Sequence, residues 1–129
     1  MTKPWWKFWS GLFGTDNAPE MRRLAESGNA ESQTRMGQAH DPDYPEVRGV
    51  TKDYNEAVRW YRLAAEQGNA EAQFNLGVLA GAGHGMPRDL DAARHWLERA
   101  AKQGHEKAQV TLECYDQICS FKDDLLSDL

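Results

Sequence analysis

Three sets of residues in this chain invite a chemical reading. The stretch Gly81-Ala82-Gly83-His84-Gly85 is rich enough in glycine to suggest a phosphate cradle. A phosphate loop follows a strand and ends Gly-Lys-Ser/Thr, whereas this stretch follows helical periodicity and runs on into Met86-Pro87-Arg88. Glycines at this place suit a tight turn that needs positive φ. Four histidines, His40, His84, His95 and His105, are metal-ligand types, but none stands four residues from another. Cys114 and Cys119 are not placed to help them, so neither a metal nor a cofactor is expected. The 20 acidic residues are spread along helix faces, where pairing with Arg or Lys at i, i+4 is the simpler role, as for Arg62 with Glu66. No nucleophile elbow or Ser-x-x-Lys motif occurs. These residues point away from an enzyme, with hydrolase-like chemistry as the minor alternative.

What positions them is a repeat. Residues 53–73 return as residues 89–109 at a constant offset of 36, with Trp60 matched to Trp96, Ala64 to Ala100 and Gly68 to Gly104. A fixed period in this range marks a solenoid of helix pairs. The second helix of each pair carries an apolar stripe at i, i+3, i+4, i+7 and i+8: Ala57, Trp60, Tyr61, Ala64, Ala65, then Ala93, Trp96, Leu97, Ala100, Ala101. Half of that stripe is alanine, so neighbouring helices can approach closely, and the Trp fills the wider part of the groove. Asp53 and Asp89 are N-cap types, and Asp53 with Glu56 has capping-box spacing. Gly28, Gly68 and Gly104 stand where left-handed C-caps belong, and Asn29 and Asn69 can start the next helix. Six helices are predicted, over 18–27, 30–40, 54–67, 70–81, 90–103 and 106–118. In the last of them Gly77 and Ala80 are replaced by Glu113 and Asp116, which suits a helix that closes the array.

The wording of the repeat resembles the Sel1-like repeat family, relatives of the tetratricopeptide repeat. Ala70, Ala72, Gln73, Leu76 and Gly77 match its first helix. Gly83, Gly85, Met86 and Asp89 match its loop, and Ala93, Trp96, Leu97, Ala100, Ala101 and Gly104 its second helix. The preceding copy keeps Ala30, Gln33, Met36, Gly37, Gly49, Val50 and Asp53. It departs from the pattern by four extra residues around Asp41-Pro42-Asp43-Tyr44-Pro45. The resemblance covers about residues 18 to 118. It implies an all-α fold, a right-handed α/α solenoid of about two and a half helix-pair repeats. The flanks are an aromatic-rich segment (1–17) and an acidic tail (119–129). Family members rich in cysteine clamp each helix pair with a disulfide. This chain lacks that pattern, since five residues turn a helix by roughly 140° and carry Cys114 and Cys119 apart.

The resemblance implies a protein–protein interaction module, an adaptor or scaffold of bacterial type, and its concave side is the expected contact face. On the first helix of a unit Leu76 marks the core direction, and Phe74 and Val78 lie roughly 160–200° from it. The same places hold Val110 and Cys114 in the next copy, and Thr34 and Gln38 in the preceding one. The competing assignment for this strip is packing against neighbouring helices or the tail residues Phe121, Leu125 and Leu126. The net charge of −5 argues against nucleic acid. Lys3 and Lys7 place +2 on residues 1–14, which also hold three of the five tryptophans: Trp5, Trp6 and Trp9. That segment has three candidate roles: docking on the solenoid, lying at a membrane surface as a peripheral anchor, or inserting into a partner protein. Beside the adaptor reading stands a toxin-neutralising, immunity-type protein whose acidic surface covers a basic site. So few units leave room for self-association. The expected location is cytoplasmic, with membrane association through the N-terminus as a variant.

Overall fold

The computed structural model describes residues 18–127, with side chains between 19 and 117. The contacts expected of Trp5, Trp6, Trp9, Phe121, Leu125 and Leu126 lie outside the described residues. Six helices follow one another: α1 Ala18–Glu26, α2 Ala30–His40, α3 Tyr54–Glu66, α4 Ala70–Ala82, α5 Leu90–Lys102 and α6 Glu106–Ser127. No strand occurs among the described residues. Each helix packs on the next in sequence, and α2 also touches α4 directly. The first helices of successive units, α2 and α4, therefore stand side by side along one face. The last helix runs past the expected end at 118 as far as Ser127. Nothing between Ser120 and Leu126 is a glycine or proline, so no residue there stops it.

The alanine stripe does what small side chains permit. Ala57, Ala64, Ala65, Ala93 and Ala100 are buried, with Tyr61, Leu76, Leu79 and Leu97 between them. Val58, absent from the predicted stripe, is buried as well, whereas Trp60 and Trp96 stay half-exposed. Trp96 packs on the α3–α4 core and carries the Arg99 guanidinium 4.9 Å above its ring. The closest approach within a helix pair is made by a mid-helix glycine. A Cβ on Gly37 would stand 2.5 Å from the Tyr61 ring, and one on Gly77 would stand 2.9 Å from Leu97 Cγ. Glycine at these two places removes the side chain that would hold the helices apart.

The helix ends follow the expected punctuation with one change. Asn29, Asn69, Asp53 and Asp89 each accept a first-turn backbone N–H. The capping box at Asp53 does not form: Glu56 pairs with Arg59, and the Asp53 N–H donates to His40 O at 2.7 Å. Arg62 and Glu66 do not pair either. Ion pairs among the described residues include Arg35–Glu31, Arg59–Glu56, and Arg94 with Glu98 and Asp116.

The repeated glutamines have a job that the spacing did not reveal. Gln33, Gln73 and Gln109 each donate Nε2–H to a carbonyl at the end of the preceding helix: Ala25 O, Ala65 O and Ala101 O, at 3.1, 3.1 and 3.2 Å. The glutamine that closes the following helix then binds the same amide from the other side. Gln67 donates to Gln33 Oε1 at 2.7 Å and Gln103 to Gln73 Oε1 at 2.9 Å. Each of these carbonyls already accepts the N–H of the glycine that ends its helix (Gly28, Gly68, Gly104), and the glutamine adds a second bond that ties each unit to the next.

Candidate functional site

The face formed by α2, α4 and α6 is the candidate contact surface. Its two halves differ because of the four-residue insertion. Asp41, at the end of α2, is only 3% exposed. Its Oδ2 accepts the Tyr61 hydroxyl at 2.9 Å and its Oδ1 accepts the Asp43 N–H at 2.9 Å. A carboxylate can be held this deep only when hydrogen bonds replace its water. Burial, followed by the nearby Asp41 charge, pushes the Tyr61 phenol far above its ordinary range. Lys52 clips the loop from outside, donating to Ala39 O, Asp41 O and Pro45 O at 2.9, 3.1 and 2.8 Å. His40 Nδ1 donates to Thr51 O at 2.7 Å, and Tyr54 OH donates to Asp43 Oδ1 at 3.2 Å.

So anchored, the loop feeds Tyr44 onto the inner face. Its hydroxyl donates to Asn75 Oδ1 on α4 at 3.0 Å. Burial raises the Tyr44 phenol, the Asn75 hydrogen bond partly offsets this, and Gln38 also bonds to it. The half of the groove expected at Thr34 and Gln38 is therefore not an open surface. Thr34 is buried and donates its hydroxyl to Ala30 O at 2.9 Å, so it leaves the candidate contact set. Gln38 is half-buried beside Tyr44. The insertion was visible in the sequence, but its direction was not.

The other half carries the apolar strip. Phe74 and Val78 are half-buried, Val110 is 59% exposed, and Cys114 is exposed with a free thiol. Phe74 packs on the Leu97, Ala100 and Ala108 cluster and stacks on His105, with ring centroids 4.8 Å apart. His105 occupies the N-cap place held by Asn29 and Asn69. Its Nδ1 accepts the Ala108 N–H at 3.2 Å, so its Nε2 carries the proton and donates to Glu71 Oε2 at 2.7 Å. Glu71 and His105, missed in the sequence as groove residues, thus join α4 to the start of α6. The signal was there: the Asn place of the repeat holds a residue that can accept on one side and donate on the other.

The chemistry-bearing residues first singled out sit apart. Gly85 lies under the start of α3, where a Cβ would come 2.6 Å from Tyr54 O, and His84 lies on the Tyr54 ring at 4.4 Å. His95 lies edge-on to Trp96 at the surface. Among the described residues no group of three or more His, Cys, Asp or Glu side chains is arranged to hold a metal ion. A hollow of ≈ 680 Å³ lies along Glu46–Lys52, on the insertion loop and away from the apolar strip. The arrangement offers surface, shape and hydrogen-bonding groups, which are the means of recognition.

The Sel1 repeat family pattern matches residues 30–69 and 70–105. The crystal structure of a Sel1 repeat protein from Oxalobacter formigenes is 36% identical, with a TM-score of 0.67 over 72% of this chain and 67% of that one. The c5321 protective antigen of uropathogenic Escherichia coli strains, which displays an SLR fold, is 34% identical with a TM-score of 0.63. That match covers 68% of this chain and 18% of the antigen. Helicobacter pylori cysteine rich protein B shares the fold (TM-score 0.64 over 71% of this chain and 66% of that one) at 22% identity. Two Arabidopsis thaliana proteins, the ERAD-associated E3 ubiquitin-protein ligase components HRD3B and HRD3A, are each 37% identical over 65 residues, or 50% of this chain. The chain spans only 10% and 9% of the length of these curated relatives.

Proposed function

Because the chain belongs to the Sel1 repeat family, we propose that it is a non-enzymatic adaptor that holds a protein or peptide segment on the inner face of its first helices. The observation that carries this reading is the apolar strip Phe74, Val78, Val110 and Cys114. Val110, 59% exposed, is the most exposed large apolar side chain described, and it holds on α6 the repeat place of the half-buried Phe74 on α4. Apolar residues on a rigid face bind partners without much ordering cost. The plant relatives, components of an E3 ubiquitin-protein ligase, are consistent with a repeat that works by assembly. The acidic balance of the chain favours a partner segment that carries basic residues beside apolar ones.

A peptide library displayed on phage tests the proposal. Peptides selected on the full chain are expected to lose binding to Val110→Glu and Cys114→Glu, both changes at exposed positions. They are expected to bind unchanged to Leu63→Glu, an exposed change on α3, outside the proposed face. Peptides that ignore the first two changes would sink the proposal.

A further inference from the structure

One surface of the array is unfinished, on α1. Tyr61 and Leu97 stand seven residues before the glycines that end their helices, Gly68 and Gly104, and Ala64 and Ala100 stand four before. All four are fully buried. The first helix of the same pair lies against this side: Gly37 closes on Tyr61, and Gly77 on Leu97. Before Gly28 the matching places are held by Met21 and Leu24. Met21 is half-buried and Leu24 is 42% exposed, while Ala25 between α1 and α2 is buried. α1 packs on α2, and no described helix precedes it as a pair partner. Leucine also stands where the other copies have alanine, so whatever covers this side meets a larger apolar surface.

We propose that residues 5–13 form the first helix of the α1 pair and dock on Met21 and Leu24 of their own chain. On a helical wheel Trp5, Trp6, Phe8, Trp9, Leu12 and Phe13 fall within roughly 160°, and Lys7, Ser10 and Gly11 fill the opposite arc. That division is the pattern of a helix that buries one side. Pro4 stands where a first-turn proline belongs, and Gly14 where a glycine stops a helix. Residues 14–17 then make a connection of four residues, within the usual range for antiparallel neighbours. The nine residues of 5–13 match the nine of α1, so the two helices run the same length of about 13 Å. A helix this short does not hold its shape alone in water, and Met21 and Leu24 offer the apolar surface nearest in the chain. Lipid fits less well, because interfacial helices carry several cations on the polar face and this one has Lys7 alone. The contact lies at the end of the array, independent of the strip on α4 and α6. It closes that end as Glu113 and Asp116 close the other.

The test uses thermal melts of the full chain. Leu24→Ala installs the residue that the other two copies hold, so the chain keeps a sequence that folds. Removing a leucine that lies in water would leave Tm unchanged or raise it, because alanine is the better helix former. With the segment docked, Leu24→Ala is expected to lower Tm by about 3–6 °C. Trp9→Ala is expected to lower it by a similar amount, and the double variant to lose less than the two single losses added. Leu63→Ala, at another exposed leucine on α3, is the control and is expected to leave Tm unchanged. A loss in Leu24→Ala no larger than in Leu63→Ala, or strictly additive losses, overturns the inference. Losses that grow with protein concentration over an about hundredfold range assign the α1 side to a second copy and also overturn it. So does the lipid outcome: additive losses, with pelleting of the wild-type chain on phosphatidylcholine–phosphatidylglycerol vesicles that Trp9→Ala abolishes.

Discussion

Replacing Gly37 by alanine should destabilise the protein even though it removes a poor helix former from the middle of α2. Propensity alone favours the change by about 1 kcal/mol. Against it, the new Cβ would stand 2.5 Å from Cδ1 and Cε1 of Tyr61, where ordinary contact begins at 3.4 Å. The ring has nowhere to go: Tyr61 is 0% exposed and its hydroxyl is tied to Asp41 Oδ2. Overpacking of this kind costs about 1–3 kcal/mol. Drawing the hydroxyl away from a buried carboxylate adds about 1.5–3 kcal/mol. After the propensity gain the net loss is about 1.5–5 kcal/mol, which lowers Tm by at least about 5 °C in a domain of this size. Gly77→Ala provides the comparison. Its Cβ would meet Leu97 Cγ at 2.9 Å and Ala93 O at 3.1 Å, a milder overlap than two ring atoms at 2.5 Å. Its loss should stay near or below about 1 kcal/mol. Urea unfolding of both variants, followed by far-UV circular dichroism, measures the difference. If Gly37→Ala gains stability, or loses no more than Gly77→Ala, the close approach of α2 and α3 is wrong.

Two further outcomes follow from the same packing. Burial, and then Asp41, raises the Tyr61 phenol above its ordinary value of 10.0. Below pH 10 both folded and unfolded chains keep this proton; above it the unfolded chain releases a proton that the folded chain holds, so stability falls as pH rises. Tyr61→Phe should make thermal melts above pH 10 less steeply pH-dependent, while lowering Tm at neutral pH; an unchanged alkaline slope would contradict the buried tyrosine–carboxylate contact. Gln73→Leu leaves Ala65 O with backbone N–H partners alone and removes the acceptor of the exposed Gln103 amide, so it should cost about 1–3 kcal/mol. Gln109→Leu, at an exposed side chain with one carbonyl partner, should cost about 0.5–1.5 kcal/mol; equal shifts in the urea midpoint would deny the glutamine chain its structural role.

The helices were legible because each is punctuated by residues with a local reason to be there. Gly68 takes a φ of 98° at the end of α3, and the Asn69 side chain accepts the Ala72 N–H, so Gly-Asn marks a stop and a start without tertiary help. The core stripe was legible for a similar reason, since period alone brings Ala57, Tyr61, Ala64 and Ala65 to one side. The contact face was less so. The direction of Phe74 and Val78 away from Leu76 follows from helix geometry, but whether a residue there is open depends on what lies above it. Tyr44 covers the α2 half because Asp41 turns inward to Tyr61, a contact 20 residues away in sequence. Thr34 was misplaced for a related reason: a threonine hydroxyl can bond its own helix and be buried. The Tyr44–Asn75 bond joins the insertion loop to α4, 31 residues apart, and no single stretch of the chain announces it.

The glycine at Gly37 and Gly77, together with the glutamine pairs, also bears on how such a chain can lengthen. Each helix pair is closed by one missing side chain and two amides that bind each other, and a glutamine on the preceding helix-end carbonyl ties it to the pair before, so every internal junction uses the same parts. A tandem duplication of residues 70–105 therefore supplies its own complementary surfaces, and the copied junction closes with no new compensating change. The rule stops at α6, where Glu113 stands in the glycine place and is exposed. Unequal exchange within the repeats yields a longer array at once, whereas a helix added against α6 would first meet the charges of Glu113 and Asp116.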